Sequence, residues 1–188
     1  MLTSLNASAS LLGRHFFLEP LVAYRSENIS LTDLTNNLTQ IKSSGPSFGA
    51  KLGFRSAMGI DLNFAWESFA NQADYTGQTE KVKFTHTSTS FQIGVNSLGL
   101  VKMYLGTAFQ NQFKTNDTTT LQSFTLKGPN YQAGLQLKLW KSLNFGAQYN
   151  QNQYNEISGN NYTAGSKLNT YFNKIDTQDY ILFLSTTL

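Results

Sequence analysis

From Tyr131 to Tyr149 the chain alternates apolar and polar side chains through an almost immediate reversal, and this stretch constrains the fold more than any other. Tyr131, Ala133, Leu135, Leu137 and Leu139, then Leu143, Phe145, Ala147 and Tyr149, form the apolar phase, while Gln132, Gly134, Gln136, Lys138, Asn144, Gly146 and Gln148 form the other. Alternation with period 2 marks strands that bury one face only. For Leu139 and Leu143 to share a face the connection must hold an odd number of residues, so Trp140-Lys141-Ser142 reads as a three-residue turn.

The unit recurs. Phe48, Ala50, Leu52 and Phe54 lead through Ser56-Ala57-Met58 to Ile60, Leu62, Phe64 and Trp66, and Phe91, Ile93 and Val95 lead through Ser97-Leu98-Gly99 to Val101, Met103, Leu105 and Phe109. Parity survives each turn, and the turns return about every 42 residues, a repeated hairpin-plus-loop unit. Longer polar connections near 71–79, 115–125 and 156–167 alternate with these short ones. The first strand starts at His15, with Phe16, Leu18, Val22 and Tyr24 on one face and Pro20 interrupting its ladder. The last runs from about 171 to Leu188 and carries Tyr180, Leu182 and Leu184 in one phase, Asp179, Ile181, Phe183 and Ser185 in the other. A last strand that pairs with the first removes both edges. The expected fold is therefore all-β, a closed antiparallel barrel of eight strands, occupying residues 15–188.

Two segments read differently. Residues 1–14 lack the basic start and long apolar stretch of an export signal, so that signal is expected to have been removed, leaving an N-terminal tail or small plug. In residues 30–44, Leu31, Leu34, Leu38 and Ile41 recur at three- and four-residue spacing after Ser30, which suits either a short amphipathic helix or a polar loop with scattered leucines, ended by Gly45-Pro46.

Such a barrel can carry ligands in water or span a membrane, and the wet face decides which. Only 13% of the 188 residues are charged, against about 25% in soluble domains, and Gln, Asn, Ser, Thr and Gly fill the polar phase. That phase fits an enclosed lumen, where Glu19, Arg25, Lys51, Arg55, Asp61, Glu67, Lys102 and Lys138 would pair as an interior network. The apolar phase would then face lipid, with Tyr24, Trp66, Tyr131, Trp140 and Tyr149 near strand ends as interfacial aromatics. A net charge of +3 with scattered Lys and Arg argues against nucleic acid as a partner. Cysteine is absent, and neither metal-ligand spacing nor a phosphate-binding glycine loop is present, so no metal or cofactor is expected.

By this pattern the chain resembles the small outer-membrane β-barrels of Gram-negative bacteria, of the OmpX type or like the N-terminal barrel of OmpA. The resemblance implies short periplasmic turns, long extracellular loops, residence in the outer membrane among its lipids, and recognition of the C-terminal strand by the assembly machinery. It implies no enzyme activity and a structural or interaction role at the envelope. Homo-oligomers occur among such barrels. Two alternatives stay open. The glycines at 49, 53, 94, 106, 134 and 146 either give a small-residue lumen for porin-like passage of ions or solutes, or serve barrel curvature. Phe84-Thr85-His86-Thr87-Ser88 places His86 and Ser88 on one face and resembles the His-x-Ser of outer-membrane lipid A deacylases of the PagL type, although neither Glu67 nor Glu80 is assignable as the third member. The plainer reading places His86 at the membrane interface.

Overall fold

In lipid every backbone donor and acceptor has to be satisfied within the protein, and for strands only closure achieves this. The computed structural model describes residues 15–77, 80–97, 99–117 and 122–188; the tail-or-plug segment 1–14 lies outside them. Its strands are β1 (His15–Asp33), β2 (Leu38–Arg55), β3 (Ile60–Tyr75), β4 (Val82–Ser97), β5 (Val101–Thr115), β6 (Phe124–Lys127), β7 (Asn130–Lys138), β8 (Leu143–Asn152), β9 (Glu156–Gly159), β10 (Tyr162–Lys167) and β11 (Phe172–Thr186). Antiparallel ladders run β1–β2–β3–β4–β5–β7–β8–β11 and return from β11 to β1, which closes a ring of eight. Past Gly128-Pro129, β6 continues the line of β7 on the extracellular side, and β9 likewise continues β8, so that β5, β6, β9 and β10 pair in a raised flap. Pro20 sits where it does least harm, since continuous pairing with β11 begins only at Leu21 opposite Ser185.

The β7–β8 turn holds Trp140-Lys141-Ser142, as parity requires, closed by Leu139 N–H donating to Leu143 O at 2.9 Å. The other two turns lie one residue later than their sequence assignments: Ser56 N–H donates to Ile60 O at 2.8 Å, leaving Ala57-Met58-Gly59, and Ser97 pairs with Val101. Gly59 supplies the left-handed residue of its turn at φ +78°.

Residues 30–44 form neither a helix nor a polar loop. β1 and β2 run through them, and Gly45-Pro46 lies within β2 opposite Arg25 and Tyr24. Leu31 and Ile41 alternate inward with Ile29 and are buried, and that tertiary burial overrides the helical spacing. The connection shrinks to a tight turn in which the Asp33 carboxylate accepts from Thr35 N–H, Thr35 Oγ1 and Asn37 N–H, each at 2.8 Å. Those bonds, that from Thr35 Oγ1 foremost, hold the Asp33 carboxyl below the usual carboxylate range.

At 19 residues β1 is far longer than the roughly 9–11 residues that cross a bilayer. Its outer face divides accordingly. From the short turns up to Tyr24, Phe48, Trp66, Phe109 and Tyr180 the outward side chains are mostly large and apolar. Above that ring they are mostly polar: Ser26, Gln72, Lys83, Thr85, Lys114 and Gln178 are all exposed, with Leu38 and Ala70 among the apolar exceptions. The inner face inverts in step. Below the ring it is mostly polar, and above it Ile29, Ile41, Phe69, Phe84, Phe113, Leu126, Ile157 and Leu168 pack into an apolar core. Phe84 stacks on Phe113 at 4.9 Å and meets Phe69 edge-on at 5.1 Å. Lipid on one side of the boundary and water on the other account for both reversals with one rule, that apolar surface leaves water wherever the environment allows.

Candidate functional site: the barrel interior

The inward phase stacks in tiers. Nearest the short turns, Asp61 accepts from Arg55 Nε and Nη2 at 2.7 and 2.8 Å and from Lys102 Nζ at 2.9 Å. One tier up, Glu19 accepts from Gln136 at 2.8 Å and Ser185 at 2.7 Å. Lys51, fully buried, finds no hydrogen-bond acceptor among the described residues; its Nζ lies 4.2 Å from the centre of the Tyr104 ring and 4.7 Å from that of Phe183. Two aromatic faces thus carry this cation where an acceptor would otherwise be needed.

Those rings fit because glycine faces them. A Cβ at Gly134 would stand 2.2 Å from Tyr104 Cζ, and one at Gly146 equally close to Phe183 Cζ. The glycines expected either to open the lumen or to serve curvature therefore include two whose space is filled by rings. With Leu21 and Ile181, Tyr104 and Phe183 make an apolar layer across the lumen. Above it Gln148 links Glu67 (2.9 Å), the Tyr104 hydroxyl (2.7 Å) and Asn150 (2.9 Å).

The highest polar tier lies just beneath the extracellular apolar core. Arg25 donates to both Asp179 oxygens, Nε at 2.9 Å, and its Nη2 lies 2.8 Å from His86 Nδ1. The same Nδ1 faces Glu27 at 2.9 Å, and Nε2 faces Asn111 Oδ1 at 2.6 Å. Asn150 donates to Asp179 at 2.8 Å. Glu27, His86 and Asp179 offer atoms within 4.8 Å of one another, a spacing that suits a metal ion. Arg25 already bonds two of the three, so the cluster contains its own cation.

Of the eight residues assigned to an interior network, Glu19, Arg25, Lys51, Asp61, Glu67 and Lys102 are buried in the lumen and Arg55 is partly buried. They fall into separate tiers. Lys138 is a correction: it keeps the inward phase but ends β7, beyond the last closed tier, and is exposed at the periplasmic mouth. Glu27, His86 and Asp179 were missed. His86 does not sit at the membrane interface; it is wholly buried, because the polar lumen continues past the height at which the lipid belt stops. Ser88 is buried in the same lumen, pairing in register with Glu67 and Asn111. Of the aromatics, Trp140 occupies a turn and is exposed, and Tyr131 opens β7. Tyr24, Trp66 and Tyr149 lie mid-strand, since the strands run on above the belt, and Tyr149 packs on Tyr180 at 5.3 Å.

Residues 13–169 match the family described as outer membrane protein beta-barrel domain. The chain belongs to that family. It is an outer-membrane β-barrel of the Gram-negative type. No curated protein sequence matches it at a significant level. Among solved structures, it is similar to the attachment invasion locus protein Ail of Yersinia pestis in complex with the heparin analogue sucrose octasulfate, at 11% identity and TM-score 0.58, covering 93% of this chain and 99% of that one. It is also similar to Neisserial surface protein A, at 14% identity and TM-score 0.55, covering 94% and 99%. Outer membrane protein OprG of Pseudomonas aeruginosa aligns at 15% identity and TM-score 0.52, covering 94% and 96%. At such identities the likeness is one of fold, and this family's fold supports many roles.

Proposed function

We propose that this outer-membrane barrel is non-enzymatic and non-conducting, and that it acts through its extracellular extension as a rigid surface for contacts outside the cell. The observation that carries the reading is the reversal of polarity above the aromatic ring, where an apolar core seals the lumen and polar side chains cover the outside. An open channel gains nothing from such a core; a protruding platform needs one, because only buried apolar area holds it up in water. The filled Tyr104–Phe183 layer supports the same reading over solute passage. Catalysis by His86 and Ser88 finds no support, since both face the sealed lumen and His86 spends its ring nitrogens on Glu27, Arg25 and Asn111.

The test has two arms. In planar bilayers the refolded protein should give no discrete conductance steps once insertion is verified, and reproducible steps would overturn the non-conducting claim. Displayed on a Gram-negative cell, the barrel should confer adherence to immobilised extracellular matrix or glycans that is lost when exposed Lys83, Lys114 and Lys127 are replaced by Gln. Adherence unchanged by the variant, or none at all, would count against the platform.

A further inference from the structure

The periplasmic mouth carries positive charge that the described chain leaves largely unanswered, and we propose that it binds a phosphoryl group. A polar cavity of about 200 Å³ opens there, lined by Arg55, Lys102, Lys138 and Lys141 with the amides of Asn96 and Gln136. Among the described residues one carboxylate, Asp61, lies within ion-pair distance of any of these four cations, and it takes Arg55 and Lys102. The next acid inward, Glu19, is occupied by Gln136 and Ser185. Lys138 and Lys141 form no ion pair among the described residues. Residues 1–14 contain neither Asp nor Glu.

Geometry narrows the ligand. Lys138 stands two residues from Gln136 on the inward phase of β7, Lys141 is in the following turn, and Lys102 stands across the adjoining ladder on β5, opposite Gln136. The lysines and Arg55 therefore converge on one concavity, where low-dielectric walls strengthen their joint field. The side-chain amides of Asn96 and Gln136 complete a polar lining beside these cationic donors. A phosphoryl group, with several anionic oxygens on one centre, matches such convergent donors. Such a group has two sources on this side of the membrane: a soluble phosphate ester, or the headgroup of an inner-leaflet lipid such as phosphatidylglycerol.

The experiment follows backbone amide resonances of Gly99, Lys102, Lys138 and Lys141 in the full chain, refolded in neutral maltoside micelles, as inorganic phosphate is added at constant ionic strength. Saturable shifts confined to the mouth are expected, and Lys138→Gln with Lys141→Gln should weaken binding about tenfold or more, the loss of roughly one charge-assisted hydrogen bond. Both lysines are exposed and form no ion pair among the described residues, so the variant is expected to fold; Lys42→Gln with Lys174→Gln, on the opposite rim, should bind as the unaltered protein does. Shifts that never saturate, or equal affinity in the Lys138/Lys141 variant, would overturn the site. Nanodiscs then separate the sources. If the lipid is the ligand, phosphatidylglycerol shifts these resonances relative to phosphatidylcholine and phosphate competes it away; if the ligand is soluble, the lipid leaves them in place and phosphate still binds.

Discussion

Removing the carboxylate of Asp179 should be among the most damaging single changes to the barrel. Arg25 and Asp179 are 1% and 0% exposed, joined through two guanidinium nitrogens, with Asn150 donating to the same carboxylate at 2.8 Å. In Asp179→Ala the guanidinium stays where water cannot reach it and loses its two-point partner, a change that costs about 3–5 kcal/mol. Glu27, the remaining acid of the cluster, offsets part of this, which places the expectation near the lower end, about 3 kcal/mol. With a urea slope of about 1–3 kcal/mol/M, the unfolding midpoint in vesicles should fall by about 1 M or more. Asp176→Ala removes an acid whose pair with Lys174 is solvent-exposed, 2.7 Å long, and should cost less than about 1 kcal/mol. Pairing Asp179→Leu with Arg25→Met should recover part of the loss, because those two charges leave together while Glu27 keeps its contact with His86. The reasoning fails if Asp179→Ala and Asp176→Ala unfold within about 1 kcal/mol of each other.

Gly146→Val should destabilise the barrel by about 1–3 kcal/mol, since its Cβ would enter the Phe183 ring, and Phe183→Leu should relieve part of that cost in a double-mutant cycle read by denaturant unfolding. Phe84→Ala opens a hole in the extracellular core and should cost about 3–5 kcal/mol, with hydrogen-exchange protection lost first in β6 and β9 rather than in the membrane belt. The Asp33 turn should loosen in acid. Its folded carboxyl titrates below the unfolded value, so the stabilisation is fully present above the unfolded carboxylate range and lost as pH falls through the lowered folded value; amide shifts of Thr35 and Asn37 should report that titration and lose it in Asp33→Asn.

Strand number, closure and facing were legible because period 2 is an all-or-none property: a one-residue slip would have turned Leu135, Phe145 and Leu182 into the lumen together. Turn positions followed to within one residue from the same parity. The reversal above the belt was the part misread. The spacing of Leu31, Leu34, Leu38 and Ile41 suits a helix or a loop, although Ile29 and Leu31 keep the phase of Arg25 and Glu27 on β1 and Ile41 keeps that of Lys51 on β2, and phase continuity is the available clue. An alternation that keeps its period while exchanging polarity between phases marks a strand that leaves the bilayer. In the interior, Glu19, Lys51, Asp61 and Lys102 could be placed from phase alone, whereas their partners could not. Gln136, Tyr104 and Phe183 meet them across the lumen, from strands distant in sequence, and the pairing depends on strand stagger. Ile181 and Phe183 made the last strand ambiguous because an apolar layer inside a polar lumen is filled from few strands, matched by Gly134 and Gly146 opposite.

The membrane should end at the level of Trp66 while the barrel continues above it. The chain has no cysteine, so single spin labels at outward positions of β3 test this directly by accessibility to oxygen and to a water-soluble nickel chelate in bilayers. Leu62 and Phe64 should favour oxygen, Ala70 and Gln72 should favour the nickel chelate, and the crossover should fall at Trp66. Oxygen preference that persists to Gln72 would place the upper barrel in lipid and contradict the account.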